Sequence, residues 1–351
     1  MEGEAVDALN AKPGLLKQAN LTEIRIFLQE KGTATRAEIA AGTRISSTTV
    51  RALLCEMLED GEIESVGRDA SSGGRRAERY GLRRDRYYGA AICIAEGKMH
   101  GLLVDVFGQV VESILLDAPE DESPCAVFDF LDGVTEKHEI RAIGIGAPGV
   151  ADGDGFLRKR AQEDALYRVD IGRALRERYG LPVVLENDLI ATTLGFGRCY
   201  AREFPEEDPE QTNMAYLHFE QGCVSAGFIV GGRIVRGFNR FAGEIGLIPM
   251  LDERPMDEWM DQPMDDARYI ACVTHIAGWV CGMLNPQYIA LGGPGLRRDC
   301  VAAVGEGLSA LLPGPMQAEI LYASDRWHDY RDGMAYLTAQ KMMNRVRIVK
   351  A

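Results

Sequence analysis

From about residue 88 onward, the chain alternates short apolar stretches that end in glycine-rich turns with apolar stretches of helical length. The short stretches include YYGAAICIA, HGLLVDVFGQVV, RAIGIGAPGV, LPVVLEND, MAYLHF, SAGFIVGGRIV and YIALGGPG, and YIACVTHIAGWVCGML is a long one. This alternation is typical of α/β folds, in which helices cover mixed β-sheets. At 351 residues the chain is also too long for one ordinary core. We therefore predict an α/β architecture in two halves.

The first 86 residues have a different, mostly helical pattern. Residues 15–32 carry apolar side chains at helical spacing and end at Gly32. Thr35, followed by Glu38, predicts the N-cap of a short helix through Ala41, and Ser46 predicts the N-cap of a third helix. Three helices with a tight link, followed by a β-hairpin in IESVGRDASSGGRRAERYGL, predict a winged helix-turn-helix. The alternative for this region is a helical oligomerisation module.

A winged helix-turn-helix places its third helix in the major groove of DNA. The residues expected to reach bases or phosphates there are Ser47, Thr48, Thr49 and Arg51, and Arg75 and Arg76 of the wing are expected beside the minor groove. Residues 1–88 hold 14 basic and 14 acidic side chains, so the net charge of −14 lies in the rest of the chain. The N-terminal region is thus neutral enough to approach a polyanion. Arg44 stands where such turns usually hold glycine; an arginine is tolerated there if its φ is negative, with a slightly different turn geometry.

Three polar residues, Glu186, Asn187 and Asp188, end the apolar run LPVVLEND. Ionised carboxylates that leave water cost several kcal/mol unless a partner binds them. The trio therefore indicates either a ligand site or a cap between a strand and a helix.

Composition narrows the class of protein. No stretch of 18 uncharged apolar residues occurs, so neither a membrane span nor a signal peptide is indicated, and a cytoplasmic protein is expected. The eight cysteines form no C-x-x-C pair, which argues against a disulfide framework and a thiolate zinc site.

Five motifs in order give a specific resemblance: SSGGRRAERYGL, IGIGAPGVADGDG, LPVVLEND, AGEIG and ALGGPG. The chain resembles the ROK family, which unites bacterial repressors with sugar kinases. The resemblance implies a winged helix-turn-helix over residues 1–86. It further implies, over residues 87–351, a kinase-like sensor domain with the two-lobed actin-like ATPase (ribonuclease H-like) fold.

The resemblance also implies sugar-binding residues. In family kinases an Asn-Asp pair binds sugar hydroxyls and the Asp acts as base, which points to Asn187 and Asp188. Glu244 of AGEIG matches a second sugar-binding position, Gly149 lies in the APG motif, and Glu258 is a stand-in for a final glutamate.

The phosphate-binding and zinc motifs of the family are not retained. A D-x-G-G-T loop is replaced by residues 95–98 (AEGK), and Glu220 stands in the second phosphate loop, where a carboxylate repels an anion. Leu247 replaces the histidine that precedes the family's cysteine-rich zinc loop, which is missing. We therefore expect no phosphoryl transfer, no bound metal and no cofactor.

These observations predict a transcriptional regulator, such as a repressor, that binds an operator in double-stranded DNA as a homodimer and senses a sugar-like effector. Apolar stretches at 268–284 and 334–343 are possible dimer contacts, although burial within the lobes is the other reading. Two alternatives stay open: an active ATP-dependent sugar kinase with a DNA-binding appendage, and a DNA-binding structural protein without a ligand.

Overall fold

The computed structural model of the chain describes residues 12–68, 77–95, 97–116, 124–159, 166–204, 211–249 and 253–343. Within these residues, a helical N-terminal unit is followed by two five-stranded sheets, each covered by helices. The two-lobed α/β architecture predicted from the alternating pattern is confirmed.

The N-terminal unit contains three helices and a three-stranded sheet. Its elements are α1 (Lys12–Lys31), β1 (Thr33–Thr35), α2 (Arg36–Thr43), α3 (Ser47–Glu59), β2 (Ile63–Arg68) and β3 (Glu78–Leu82), with sheet order β1-β3-β2. The predicted caps are present: Thr35 and Glu38 form a capping box, and the Ser46 hydroxyl accepts a hydrogen bond from the Thr49 amide at 3.2 Å. Ile24, Ile39 and Val50 are among the fully buried core residues.

The turn between α2 and α3 differs from expectation. Arg44 has a φ of +58° and forms the left-handed C-cap of α2, so the arginine is accommodated without the negative φ that the sequence argument required. A left-handed residue is a common way to end a helix, and it costs a non-glycine residue some conformational energy.

The first lobe is built on strands in the order β11-β7-β4-β5-β6. HGLLVDVFGQVV forms two of these strands rather than one, because the chain turns back at residues 105–109. A small sheet, β10-β9-β8, extends from the same lobe. The elements are β4 (Tyr88–Ala95), β5 (Lys98–Val104), β6 (Val110–Leu116), α4 (Cys125–Lys137), β7 (Ile140–Ala147), β8 (Val150–Ala151), β9 (Phe156–Lys159), β10 (Leu166–Val169), α5 (Ile171–Tyr179), β11 (Val183–Asn187) and α6 (Asp188–Glu203).

The second lobe repeats this arrangement, with strand order β14-β13-β12-β15-β16. In both lobes three antiparallel strands are followed by two parallel ones. The elements are β12 (Met214–Glu220), β13 (Cys223–Val230), β14 (Arg233–Ile234), α7 (Met256–Met260), α8 (Asp266–Leu284), β15 (Tyr288–Gly292), α9 (Val301–Leu311), β16 (Glu319–Tyr322) and α10 (Arg326–Met343). By length and composition α8 is apolar enough to span a membrane, but its buried residues form part of the second lobe's core.

The last helix, α10, packs against the sheet of the first lobe and crosses α6 at close range. Glycines permit the crossing: a Cβ atom at Gly195 of α6 would collide with the carbonyl oxygen of Asp329, and one at Gly333 would collide with that of Ala191. The C-terminal end of α10 reaches α1, where the Thr22 hydroxyl donates to the carbonyl of Met343 at 3.3 Å.

A buried ionic network joins the N-terminal unit to the first lobe. Glu62 accepts hydrogen bonds from Arg25 at 2.5 and 2.9 Å and from the Tyr87 hydroxyl at 2.6 Å. The guanidinium of Arg141 stacks over the Tyr87 ring at 3.7 Å. Burial is the largest single effect and alone would raise the pKa of Glu62, but the hydrogen bonds and charge of Arg25, together with Tyr87 and Arg141, outweigh it and the pKa is lowered. The network fixes the N-terminal unit against the lobe.

Candidate functional site

A polar cavity of about 420 Å³ lies between the two lobes. Its walls come from the turn after β7, the junction of β11 and α6, the β12–β13 hairpin, the loop before residue 245 and the start of α10. The polar side chains that line it are Arg158, Asn187, Asp188, His218, Glu220, Ser225, Arg240, Glu244 and Arg326. Its size is in the range of small-molecule sites.

The three polar residues at the end of β11 have separate roles. Glu186 is buried and forms an ion pair with Arg236, with an Oε2–Nη2 distance of 2.5 Å. It does not line the cavity, whereas Asn187 and Asp188 do. The trio therefore fits both predicted roles: Asn187 caps α6, and Asn187 and Asp188 line the cavity.

Asn187 is the N-cap of α6. Its Oδ1 accepts from the amide of Ile190 at 3.0 Å, and its Nδ2 donates to the carbonyl of Gly149 at 3.0 Å and to Asp188 Oδ1 at 3.2 Å. An asparagine amide has two donor protons, so both are already used. One lone pair of Oδ1 is left for a ligand, and Asn187 mainly orients Asp188 and the Gly149 turn.

Asp188 is nearly buried and its carboxylate is neutralised by Arg326. The Arg326 Nη2 lies 2.6 Å from Asp188 Oδ2, and both side chains are about 12% exposed or less. A carboxylate that is held by a guanidinium keeps lone pairs with which it can accept a hydrogen bond from a ligand. The geometry favours the recognition of a hydroxyl by Asp188.

Glu244 reaches the cavity from the segment before a short 3₁₀ helix (Ile245–Leu247). Gly243 precedes it with a φ of +103°, and a Cβ atom there would collide with the carbonyl of Ala226, so only glycine fits. Burial, followed by the nearby carboxylates of Asp257 and Asp188, raises the pKa of Glu244. Asp188 is paired with a guanidinium, whereas Glu244 has two carboxylates as its neighbours.

Both hairpins that would bind phosphates in a kinase are tight. Glu220 pairs with Cys223, so the β12–β13 hairpin turns in two residues, and in the β4–β5 hairpin Ala95 pairs with Lys98. Glu96 lies outside the described residues. Glu220 lines the cavity, and a hydrogen bond from His218, 3.4 Å away, is the main reason that its pKa is lowered. An ionised carboxylate at this place repels a phosphate group.

The structure brings together Gly149, Asn187, Asp188 and Glu244, which the resemblance implied. Glu258 does not line the cavity, so its assignment as the final sugar-binding glutamate is not supported. Sequence reasoning missed Arg326, which reaches the cavity from the far end of the chain. The one available signal was Asp325, whose carboxylate accepts from the amide of His328 at 2.9 Å and so marks the start of a helix.

The proposed DNA-reading surface lies on α3. Ser47, Thr48 and Arg51 are exposed, whereas Thr49 is partly buried and its hydroxyl lies 2.8 Å from that of Ser46. Thr49 is therefore less available to DNA than expected. Arg75 and Arg76 lie outside the described residues.

Other arginines near the wing have structural roles that sequence reasoning did not anticipate. Arg79 binds the carbonyl of Thr33 at 3.0 Å, and Arg84 binds Asp105 at 2.9 Å. Arg86 binds the carbonyl of Asp60 at 3.0 Å and also pairs with Glu139. Arg84 and Arg86 thus reach the first lobe, whereas Arg79 holds β3 to β1 within the N-terminal unit.

Two family models match the chain. Residues 92–259 match the ROK family, and residues 20–76 match the FeoC like transcriptional regulator family. The second match covers α1, α2, α3 and β2, and the first begins in β4 and ends in α7.

Relatives and solved structures agree with these matches. The xylose repressor of Caldicellulosiruptor bescii is 25% identical over 66% of this chain and 59% of its own length. The DNA-binding transcriptional dual regulator NagC of Escherichia coli is 25% identical over 67% of this chain and 58% of its own length. The chain thus spans somewhat more than half of the curated relatives that it matches. A ROK family transcriptional regulator, described as a homolog of the E. coli MLC protein, has a TM-score of 0.68 at 14% identity and covers 93% of this chain and 98% of its own. A protein of Listeria monocytogenes described as a putative N-acetylmannosamine kinase and a ROK hexokinase of Thermus thermophilus share the fold, with TM-scores of 0.54 and 0.52, so the kinase-like fold is confirmed.

Proposed function

We propose that this ROK-family chain is a sugar-responsive transcriptional repressor, in which a winged helix-turn-helix binds operator DNA and a kinase-like domain serves as a sensor. One observation carries the proposal: a polar cavity and a DNA-reading unit are joined by a single helix, α10. The curated relatives are named as repressors, which supports the regulatory role.

The chemistry of the cavity supports a sugar-like effector. Sugars are recognised by carboxylate and amide groups set against paired hydroxyls, and Asp188 and Glu244 provide two carboxylates on different walls. Asp188 would accept a hydrogen bond from a hydroxyl while Arg326 holds its carboxylate in place. A ligand that bound both carboxylates would bridge the two lobes.

The contacts of α10 support a mechanical link between the cavity and the reader. Arg326 at its first residue binds Asp188, and Tyr330 one turn later exchanges hydrogen bonds with Ile94 at 3.2 Å. Near its end, Gln340 donates to Gln29 of α1 at 3.0 Å, and Met343 accepts from Thr22. An effector that changes the Asp188–Arg326 pair would shift α10 and with it the N-terminal unit. The shift is limited by the difference in effector affinity between the two states.

An ATP-dependent sugar kinase with a DNA-binding appendage is the second candidate, since solved relatives of the fold include kinases. Two observations count against it. The Asp188 carboxylate, which would be the base in a kinase, is paired with Arg326, and the pKa of Glu220 is lowered, so that Glu220 is ionised where a phosphate would pass. Phosphoryl transfer needs charge neutralisation at this place.

The proposal includes partners and domain limits. Residues 1–86 form the DNA-binding domain and residues 87–351 the sensor. The protein works in the cytoplasm. It acts as a homodimer, because two recognition helices about 34 Å apart match two half-sites of an operator.

Two measurements on the purified chain test the proposal. In the first, a panel of sugars and sugar derivatives is screened by thermal shift, and we expect at least one to raise the melting temperature of wild type. In the second, the same panel is incubated with ATP and magnesium, and we expect no phosphorylated sugar. Formation of phosphorylated sugar at catalytic rates would favour the kinase, and no thermal shift with any member would favour a structural protein without a ligand.

A further inference from the structure

A second cluster of chemically active side chains lies outside the cavity, where α6 and α10 cross. Cys199 Sγ is 3.9 Å from His328 Nδ1, and His328 Nδ1 is 3.6 Å from Asp329 Oδ1. The three ligand atoms all lie within 4.8 Å of one another. Neither the ligand cavity nor the DNA-reading surface uses these residues.

The helix crossing fixes the cluster in place. Gly195 and Gly333 let the two backbones touch, so Cys199 on α6 and His328 and Asp329 on α10 cannot move far apart. Asp325 caps this end of α10 by accepting from the amide of His328. The three side chains are therefore held close together by packing that does not depend on them.

Asp329 lacks a strong counter-charge. Its side chain is only 9% exposed, and among the described residues its one ion-pair partner is His328 at 3.6 Å. The arginines on the facing helix, Arg198 and Arg202, bind Asp332 instead, at 3.4 and 3.0 Å. A carboxylate taken out of water needs a cation or hydrogen-bond donors, and this one is directed at a thiol and an imidazole.

We propose that Cys199, His328 and Asp329 bind a divalent transition-metal ion of the zinc class, with solvent as the fourth ligand. Thiolate, imidazole and carboxylate together suit Zn²⁺, whereas Mg²⁺ and Ca²⁺ prefer oxygen ligands alone. With Zn–S near 2.3 Å and Zn–N near 2.0 Å, tetrahedral ligand atoms lie roughly 3.5 Å apart, so small rotamer changes suffice. Cys199 releases its thiol proton to solvent on binding. The imidazole of His328 is 58% exposed, which gives the ion a route of entry.

This site is separate from the family zinc loop, whose absence near Leu247 led to the expectation of no bound metal. A metal here would clamp α6, which begins at Asp188, to α10, which begins at Arg326. It would thereby stiffen the two helices that lead away from the cavity.

The test uses the full chain, stripped with a chelator and then titrated with Zn²⁺ against a chromophoric competitor. Cobalt is used in parallel, because a Co²⁺–thiolate bond gives a charge-transfer band that reports the cysteine directly. We expect one equivalent of either ion and the charge-transfer band in wild type. Cys199→Ser should abolish the band and weaken Zn²⁺ by more than about tenfold, and Asp329→Asn should weaken it similarly.

Matched controls separate this site from others. Cys55→Ser and His275→Ala change an exposed cysteine and an exposed histidine away from the cluster, and they should leave stoichiometry and band unchanged. Circular dichroism checks that each variant is folded, and Cys199→Ala replaces Cys199→Ser if the latter is not. A wild-type chain without the band, or a band that survives loss of the Cys199 thiol, would overturn the proposal.

Discussion

Glu244 and Asp188 face the same cavity, yet their carboxylates are in different electrostatic states. Arg326 neutralises Asp188 at 2.6 Å, whereas Glu244 has Asp257 and Asp188 as neighbours and a raised pKa. In the ligand-free protein, burial and the acidic neighbours therefore disfavour the ionised form of Glu244.

Because of this difference, Glu244→Gln should increase the stability of the protein at neutral pH but decrease its affinity for the effector. A raised pKa means that the unfolded chain releases the proton first, so stability is lost as pH rises past the unfolded pKa. At neutral pH the glutamine variant should therefore be more stable than wild type, and the difference should vanish at acidic pH. Its affinity for a sugar effector should fall about tenfold.

Thermal unfolding from acidic to neutral pH and calorimetric titration of the effector check this prediction. Glu258→Gln is the control, because Glu258 does not line the cavity. A less stable Glu244→Gln variant at neutral pH, or unchanged effector affinity, would show that Glu244 has another role.

Sequence reasoning reached some of these residues and missed others for physical reasons. Asn187 and Asp188 end a core strand, and this pattern is visible locally in the stretch LPVVLEND. The pairing of Asp188 with Arg326 joins positions 138 residues apart. No local pattern reports such a contact, so the electrostatic state of Asp188 had to come from the structure.

Among the single elements, α3 is the proposed DNA-contacting helix and α10 is the proposed link to the cavity. The caps of α2 and α3 were predictable because capping is a local interaction between residues three apart. The conformation of Arg44 was not, because it depends on how α2 and α3 pack. The structural roles of Arg79, Arg84 and Arg86 likewise depend on partners in distant segments.

For α3 we predict that Arg51→Ala weakens binding to every duplex and reduces the salt dependence of affinity by about one phosphate contact. Ser47→Ala should instead change preference among sequences. Fluorescence anisotropy over a range of salt concentrations and a selected set of duplexes measures both effects. Arg173→Ala, an exposed arginine on α5, is the control. Equal salt slopes for Arg51→Ala and wild type would exclude α3 as the phosphate-contacting helix.

For α10 we predict that Gln340→Ala reduces the coupling between effector and DNA. Gln340 contacts α1 and lies far along the helix from the cavity, so intrinsic effector affinity should change less than about twofold. The factor by which effector lowers DNA affinity should shrink severalfold, and by reciprocity DNA should lower effector affinity by the same reduced factor. Gln262→Ala, at an exposed position of the second lobe, should leave the coupling intact. Full coupling in Gln340→Ala would mean that α10 is not the link.

On the scale of the whole molecule, the N-terminal unit and the first lobe share a hydrophobic cluster and the ionic network around Glu62. The two-lobed architecture followed from alternation and from motifs in family order, both of which are spread over the whole chain. The attachment of the N-terminal unit to the first lobe could not be predicted from the sequence, because its contacts come from α1, β7 and α10 together.

The network around Glu62 predicts a specific acid sensitivity. The pKa of Glu62 is lowered in the folded state, so its stabilising effect is present above the unfolded pKa of about 4.3 and is lost as pH falls through the lower folded pKa. Glu62→Gln should cost about 3 kcal/mol or more at neutral pH, since Arg25 is left buried without its partner, and the cost should shrink below about pH 4.

Denaturant unfolding at several pH values measures this cost. Glu56→Gln removes an exposed pair with Lys17 and should cost less than about 1 kcal/mol at any pH. A small, pH-independent cost of Glu62→Gln would mean that the network does not hold the junction.

The central claim is that occupation of the cavity changes DNA binding, and release of labelled operator DNA tests it most directly. The operator is selected from random duplexes with the wild-type chain, and the effector is a sugar identified by thermal shift. We predict that this sugar releases the operator from wild type. We predict that Glu244→Gln, which leaves the Asp188–Arg326 ion pair intact, binds operator equally well without sugar but needs about tenfold more sugar for half release, because a hydrogen bond to a carboxylate is weakened. The claim is contradicted if the sugar binds wild type without changing its affinity for DNA, or if a folded Glu244→Gln variant releases operator at the wild-type sugar concentration.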